Sequence, residues 1–327
     1  MDGDRRSLIS LFNTKEIAAY QLHSENAKLS PEKEGQETAE FGEVLTDTKA
    51  VHAVDWTTKK SDGQYLGRLL REAKSGVYGE EVARCATQLW LEVGQTEDGE
   101  KWRARPFSTC KRRWCPVCEW RKSRERLLYA LHNWPVLIPD EFQVMIRFLT
   151  LTMRNCRPDE IGDAVTQMLG GFRRLTHHKT RITGDWLGYL RTLELTVNSE
   201  TGDLHPHIHV VFLTPAGSRR HETREWVQAW RQALQVDYDP VCDIRAVRDP
   251  ARGLAEVLKY STKPAKLAHD SVTLAHAMAA LKGRKLQLAG GCLKQIFAPV
   301  DMPDVEWQGR GSFWWRAAEG VYRRWDG

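Results

Sequence analysis

Nine residues of this chain, HPHIHVVFL at 205–213, constrain its fold more than any other stretch. Alternate side chains of a strand face opposite ways. His205, His207 and His209 therefore share one face, while Pro206, Ile208, Val210 and Phe212 share the other. One face is built for a core and the other for chemistry. Two imidazoles at i and i+2 can turn their nitrogens toward a single ion, and neutral imidazole suits divalent metals. The preceding segment, LGYLRTLELTV, alternates in the same way and is joined to the first by a polar Asn/Ser/Gly/Asp stretch, the pattern of a β-hairpin. Leu193, Leu195 and Val197 form its apolar face, and Thr192, Glu194 and Thr196 the opposite one. A turn centred near Glu200 or Thr201 sets Glu194 across from His207 or His209. The expected metal set is His207, His209 and Glu194, with His205 as an additional candidate beside Pro206.

The flanking segments supply the rest of a domain. VMIRFLTLTMR reads as a strand, and DEIGDAVTQMLGGFRRLTHH as a helix with Ile161, Val165, Met168, Leu169 and Phe172 on one face. A helix around REWVQAWRQAL, a strand VCDIRAV and a helix ARGLAEVLKYSTK, closed by Pro264, follow. The order is β, α, β, β, α, β, α. Glu256 and Tyr260 stand four residues apart, so on a helix they lie one above the other, with Lys263 about a turn further. A phenol is a poor nucleophile until a cation or a metal-bound phosphate favours its phenolate, and a neighbouring carboxylate can act as general base on water.

These residues resemble the HUH superfamily of rolling-circle endonucleases, named for two histidines around a hydrophobic residue, here His207-Ile208-His209. Three motifs stand in that family's order: FLTLT at 148–152, HPHIHVV at 205–211, and E-x-x-x-Y-x-x-K at 256–263. One tyrosine paired with one glutamate is similar to the plasmid-initiator branch. The resemblance, over residues 80–290, implies an α+β fold with a central antiparallel β-sheet, helices on one face and the other open to metal and single-stranded DNA. It implies a site-specific nickase in which Tyr260 attacks the scissile phosphate. The products would be a 5′-phosphotyrosine link and a free 3′-hydroxyl. Lys263 would steady the tyrosine oxygen or the phosphate, and Glu256 would activate water for the terminating cleavage. Mg²⁺ or Mn²⁺ is the implied ion at the His/His/Glu site. The implied partners are single-stranded or hairpin origin DNA, a host helicase and a DNA polymerase, with no membrane involved.

The segment 79–140 is rich in Cys, Trp and Arg. Cys110, Cys115 and Cys118 in CKRRWCPVC have ligand spacing, and Cys85 upstream would complete a tetrahedral structural Zn²⁺ site. Similar plasmid initiators carry a cysteine cluster ahead of the first motif. Lys111, Arg112, Arg113, Arg121, Lys122, Arg124 and Arg126 would form a basic surface for DNA phosphates. Four segments are expected: a polar, largely mobile extension over 1–78, the zinc-binding module over 79–140, the endonuclease domain over 141–282, and a C-terminal segment, 283–327, of unassigned role.

Composition excludes less than the motifs do. Among 327 residues, 48 Lys and Arg against 43 Asp and Glu give a net charge of +5, compatible with a polyanionic partner without establishing one. MDGDRRSLIS lacks the apolar run of a signal peptide, and no run of about 18 apolar residues is present, so a cytoplasmic protein is expected. Seven unevenly spaced cysteines then point to metal before disulfides. Three other classes compete: a histidine-triad nucleotide hydrolase, which shares H-x-H-x-H; a non-catalytic zinc-dependent DNA-binding protein; and an HUH transposase or relaxase-like nickase, which shares the chemistry. The first leaves the cysteine cluster and the tyrosine helix unexplained, and the Glu256 partner disfavours the third. Oligomeric state is not readable from the sequence.

Overall fold

The computed structural model describes residues 41–46, 53–73, 76–96, 99–177, 182–258, 267, 269–300 and 305–325. The chain divides into two units, residues 1–128 with 301–327, and residues 129–300. The strands, all antiparallel, form two five-stranded sheets among these residues. In chain order the elements are β1 (Phe41–Val44), α1 (Ala53–Glu72), α2 (Gly76–Arg84), β2 (Gln88–Thr96), β3 (Gly99–Pro106) and α3 (Pro116–Leu137), whose last residues enter the second unit. Then come β4 (Val144–Thr152), α4 (Ile161–His177), β5 (Gly188–Val197), β6 (Leu204–Pro215), α5 (Thr223–Leu234), β7 (Cys242–Ala246) and α6 (Pro250–Leu258). The chain continues with α7 (Ser271–Leu281), β8 (Gln287–Gly291), β9 (Trp307–Arg316) and β10 (Val321–Trp325).

The second unit carries the β-α-β-β-α-β-α order expected from periodicity, on a sheet of order β7-β4-β6-β5-β8. Its fifth strand, β8, pairs with β5 and lies in the segment left unassigned from sequence. Two glycines and one alanine among five residues gave QLAGG no alternation to read. One sheet face carries Leu149, Leu151, Leu193, Ile208 and Val210, all at most 1% exposed. Each such side chain contributes about 1.5–3 kcal/mol by leaving water. On that side α4 buries Ile161, Val165, Met168 and Phe172, and α5 buries Trp226 and Trp230. Trp230 fixes the helix to the sheet by donating Nε1–H to the Thr152 carbonyl at 2.7 Å.

The opposite face is less open than the resemblance implies. The register places Phe148, Leu190 and Val211 on it, each buried, and α6 packs there with Leu254 and Val257 inward. Thr192, which faces this way beside His209, donates its hydroxyl to the Val257 carbonyl at 2.6 Å. An additional helix thus covers part of the histidine face, because α6 is amphipathic and its apolar side needs a partner.

The hairpin turn is held by Asn198, whose Oδ1 accepts from Glu200 N at 2.9 Å and from Thr201 N at 3.4 Å. His269 clasps the same turn. Its Nε2–H donates to the Ser199 carbonyl at 3.2 Å and its Nδ1–H to Asp270 at 2.9 Å. Asp270 also caps α7, accepting from Val272 N and Thr273 N. The Asp270 hydrogen bond, then the Ser199 carbonyl, raise the His269 pKa. Burial alone would raise the Asp270 carboxyl, but bonds from His269 and Thr273 hold it well below its usual range. A raised histidine stabilises fully below its unfolded pKa of about 6.5 and loses that contribution as pH climbs through the folded value. A lowered aspartate contributes above about 3.9 and loses it as pH falls through the folded value. His269→Gln should therefore cost more thermal stability near pH 5.5 than near pH 9; an equal loss in melts at both pH values would refute the clasp.

In the first unit the sheet order is β1-β10-β9-β2-β3, so the two ends of the described chain pair with each other. The helix α1 lies where the sequence shows no sustained apolar period, and the reason is Lys60. This side chain, 1% exposed, takes a core position and donates to the Ala83 and Cys85 carbonyls at 2.7 and 3.0 Å and to Thr87 Oγ1 at 2.9 Å. It ties up carbonyls at the end of α2. The two helices meet at Gly67 and Gly79, where a Cβ on either would come within 2.7 Å of the other's carbonyl oxygen. The second half of β9 and the whole of β10 come from SFWWRAAEGVYRRW.

Candidate active site

The site is set by register. Glu194 pairs with His207, and Thr192 with His209, as a turn centred between Glu200 and Thr201 requires. On the other side of β6, Thr152 pairs with His207 and Thr150 with His209. His207 Nε2 and His209 Nε2 each lie 3.4 Å from Glu194 Oε2. The three ligand atoms fall within 4.8 Å of one another, with Glu194 and His207 buried and His209 half-buried.

The donor chemistry fits an ion. His207 Nδ1 lies 3.3 Å from the His205 carbonyl, which can only accept, so the proton of a neutral ring sits on Nδ1. The Nε2 lone pair then points at a carboxylate, an arrangement that calls for a cation between them. His209 Nδ1 lies 3.2 Å from Thr150 Oγ1, which accepts the Nδ1–H in the tautomer that frees Nε2. Such outer contacts orient the rings of a metal site. Ligands about 2.0–2.1 Å from one ion stand about 2.9 Å apart at octahedral angles and about 3.4 Å apart at tetrahedral ones, so each imidazole nitrogen, 3.4 Å from the carboxylate oxygen, is placed to share an ion with it. His205 takes no part in this set. Its Nδ1 binds Asn155 Oδ1 at 2.7 Å, and burial, then His207, lower its pKa.

Three further side chains share this face and were not singled out from sequence. Thr150 orients His209, as above. Asp243 on β7 pairs with Thr150 and is exposed. Arg245 stacks over Phe148 at 4.7 Å from the ring centre, and Phe148 in turn lies 5.4 Å from the His209 ring. Only the cross-strand register brings these together, and a single strand's sequence does not contain it. Glu256 lies on α6, on the histidine side of the sheet, and is half-buried. Tyr260 and Lys263 lie outside the described residues.

The cysteine group forms in the first unit. Cys85 opens the turn after α2, Cys110 sits in the loop after β3, and Cys115 and Cys118 bracket the start of α3. All four sulfurs lie within 4.8 Å of one another. Cys85 and Cys118 Sγ are 3.6 Å apart, and Cys110 and Cys118 Sγ 3.8 Å. Four thiolates about 2.3 Å from one Zn²⁺ would stand about 3.8 Å apart. The crowding splits the thiols. Bonds from Cys115, Cys118 and Cys85 hold Cys110 far below its ordinary pKa, while bonds with Cys110, then Cys118, together with burial, push Cys115 and Cys85 well up.

The predicted basic surface is uneven. Lys111, Arg112 and Lys122 are exposed, whereas Arg113, Arg121, Arg124 and Arg126 are half-buried. Burial lowers the Arg121 and Arg126 pKa values. Arg112 forks onto Glu81, which side chain–backbone spacing along the sequence does not reveal.

Fold and site define a protein built around two ligand groups, one of imidazole and carboxylate, one of thiols. Comparison with known proteins places it. The model of a family described as "Replication protein" matches residues 101–310. A "Protein rep" of Streptococcus pneumoniae serotype 2 is 32% identical over 208 residues, 60% of this chain and 65% of that one, so the match spans just under two thirds of its length. A "Protein rep" of Bacillus amyloliquefaciens is 29% identical over 291 residues, 77% of this chain and 84% of the relative. One from Bacillus sp is 31% identical over 229 residues, 60% of this chain and 73% of the relative. No solved structure gives a significant match. The chain belongs to the replication-protein family, and the rolling-circle initiator that its motifs resemble stands as its class. No helix among the described residues is long and apolar enough to cross a membrane.

Proposed function

We propose that this initiator nicks one strand of plasmid origin DNA and remains joined to it through Tyr260. The supporting observation is that Glu194, His207 and His209 converge on the sheet face to which Thr192 anchors α6, the helix described as far as Leu258. In this reading the phenolic oxygen of Tyr260 attacks phosphorus, a Tyr–O–P bond forms and the P–O3′ bond breaks. The phenol gives up its proton, and the 3′-oxygen leaves as a hydroxyl that a host polymerase extends. A divalent cation held by Glu194, His207 and His209, Mg²⁺ or Mn²⁺ in this role, would supply Lewis-acid stabilisation of the charge that builds on the phosphate oxygens. Lys263 steadies the attacking oxygen or the phosphate. Glu256 serves as general base for the water that ends the round, so the protein is used once. The cysteines hold a structural Zn²⁺, and Lys111, Arg112, Lys122 and their neighbours grip backbone phosphates. Hairpin or single-stranded origin DNA is the substrate, and a host helicase and polymerase act on the product in the cytoplasm.

The test is to incubate the protein with Mn²⁺ and labelled single-stranded DNA bearing candidate origin hairpins, then map the label in the adduct that survives denaturation. The peptide carrying Tyr260 should hold it. Label on a histidine would favour a histidine-triad mechanism, and DNA binding without any adduct would favour a non-catalytic zinc protein. In the same assay Glu256→Ala should form the adduct normally and fail to release it; equal loss of both steps would remove the role given to Glu256.

A further inference from the structure

The sheet of the first unit has a face that this mechanism leaves without a task. On β2, Leu89, Leu91 and Val93 are buried, and the register puts Phe313, Trp315 and Tyr322 on their side. Tyr322 donates its hydroxyl to the Ala86 carbonyl, so the core and the cysteine group lie on that side. The alternate residues face the other way. They include Trp90 on β2, Trp314 on β9 and Trp325 on β10, joined by Phe107, whose amide extends the β3 ladder to Gln88 O at 2.9 Å. The rings pair, Trp90 with Phe107 at 6.3 Å and Trp314 with Trp325 at 5.8 Å. Phe107 and Trp325 are nevertheless 42% and 41% exposed.

Guanidinium groups are interleaved with these rings. Arg105, Arg316 and Arg323 lie on the same face, and Arg103 lies over the Trp307 ring at 3.7 Å. Their carboxylate neighbours are Glu92, bonded to Arg103 and Arg105, and Glu319, beside Arg316 and Arg323. Among the described residues, these four guanidinium groups stand with two carboxylates around the aromatic rings. One cross-strand row reads Trp90, Ser312, Trp325, with the two large rings on strands about 10 Å apart and a small side chain between them. Exposed rings offer π-faces to unpaired bases, which a duplex keeps stacked inside, and the arginines match a phosphate backbone in charge.

We propose that this face is a platform for single-stranded DNA, on which unpaired bases stack against Trp90, Phe107, Trp314 and Trp325 while Arg105 and Arg316 meet the phosphates. It rests on the reading of this chain as an enzyme that opens one DNA strand, and it assigns the first unit a grip on that strand by residues other than those that cut it.

The experiment is fluorescence anisotropy with labelled oligothymidylate that carries no origin sequence, in buffer without added divalent cation. Trp325→Leu and Phe107→Leu alter exposed positions, so both should fold with unchanged melts and bind about 5- to 100-fold more weakly. Trp90→Phe keeps a π-face and should retain most of the affinity that Trp90→Leu loses. Arg316→Gln should lower the salt slope by about one. His207→Ala should bind oligothymidylate like the unaltered protein even where cleavage is lost, which separates failure of this proposal from failure of the nicking mechanism. Unchanged binding by both Trp325→Leu and Phe107→Leu would overturn the platform, as would an equal loss of affinity for duplex DNA of the same length.

Discussion

His207→Ala is expected to lower origin cleavage by about a thousandfold or more while leaving the fold intact. The ring supplies one of three convergent ligand atoms, at 3.4 Å from Glu194 Oε2, and its partner across the strand pair cannot move to replace it. Lewis-acid stabilisation of a phosphoryl transition state is worth several kcal/mol, and each 1.36 kcal/mol is tenfold in rate. The side chain lies on the chemical face, with Ile208 and Val210 carrying the core contacts, so the loss should appear in catalysis rather than in stability. Thr150→Val, which removes only the oxygen that orients His209, should cost about 10- to 100-fold. The measurement is the single-turnover rate of adduct formation at saturating Mn²⁺. Adduct formation by His207→Ala at the unaltered rate would show that the paired imidazoles are not part of the cutting machinery.

What could be read from sequence follows from how local each signal is. Alternation along 205–213 and 193–197 depends on one strand at a time, and the short polar turn between them leaves little choice of register, so the approach of Glu194 to His207 was legible. Thr150, Asp243 and Arg245 join the site through β4 and β7, which are distant in sequence from β6, and no pattern within either strand states which row they occupy. The helix α1 was hidden for a different reason. Its core position 60 is a lysine satisfied by three oxygens, and a polar residue in a buried place breaks the apolar period by which helices are recognised. The terminal strands β9 and β10 were hidden by composition, since Trp and Arg alternate there on both faces and the usual contrast between an apolar and a polar side is lost.

The cysteine group was legible as spacing, and its energetic weight carries the other large expectation: removing the ion, by a strong zinc chelator or by Cys118→Ser, should unfold the first unit. Purified protein should contain one Zn²⁺ per chain by elemental analysis. Apparent zinc-binding energies of structural sites reach about 10–16 kcal/mol near neutral pH, comparable to or larger than the whole stability of a domain. The structure explains why little would remain without it. Cys85 and Cys115 are buried and all four sulfurs lie within 4.8 Å of one another, so four thiolates gathered there would repel one another strongly unless a cation neutralised them. Trp114 and Val117, within two residues of Cys115, are buried, and Tyr322 lies near Cys85 and Cys115 and ties the sheet to Ala86. Binding displaces thiol protons, so the metal should be held less tightly as pH falls. The check is hydrogen exchange with and without chelator. Amides of β2, β9 and β10 should lose protection while those of β4, β5 and β6 keep it, and retained protection in β2 after the zinc is gone would mean that the core of that sheet stands without the metal.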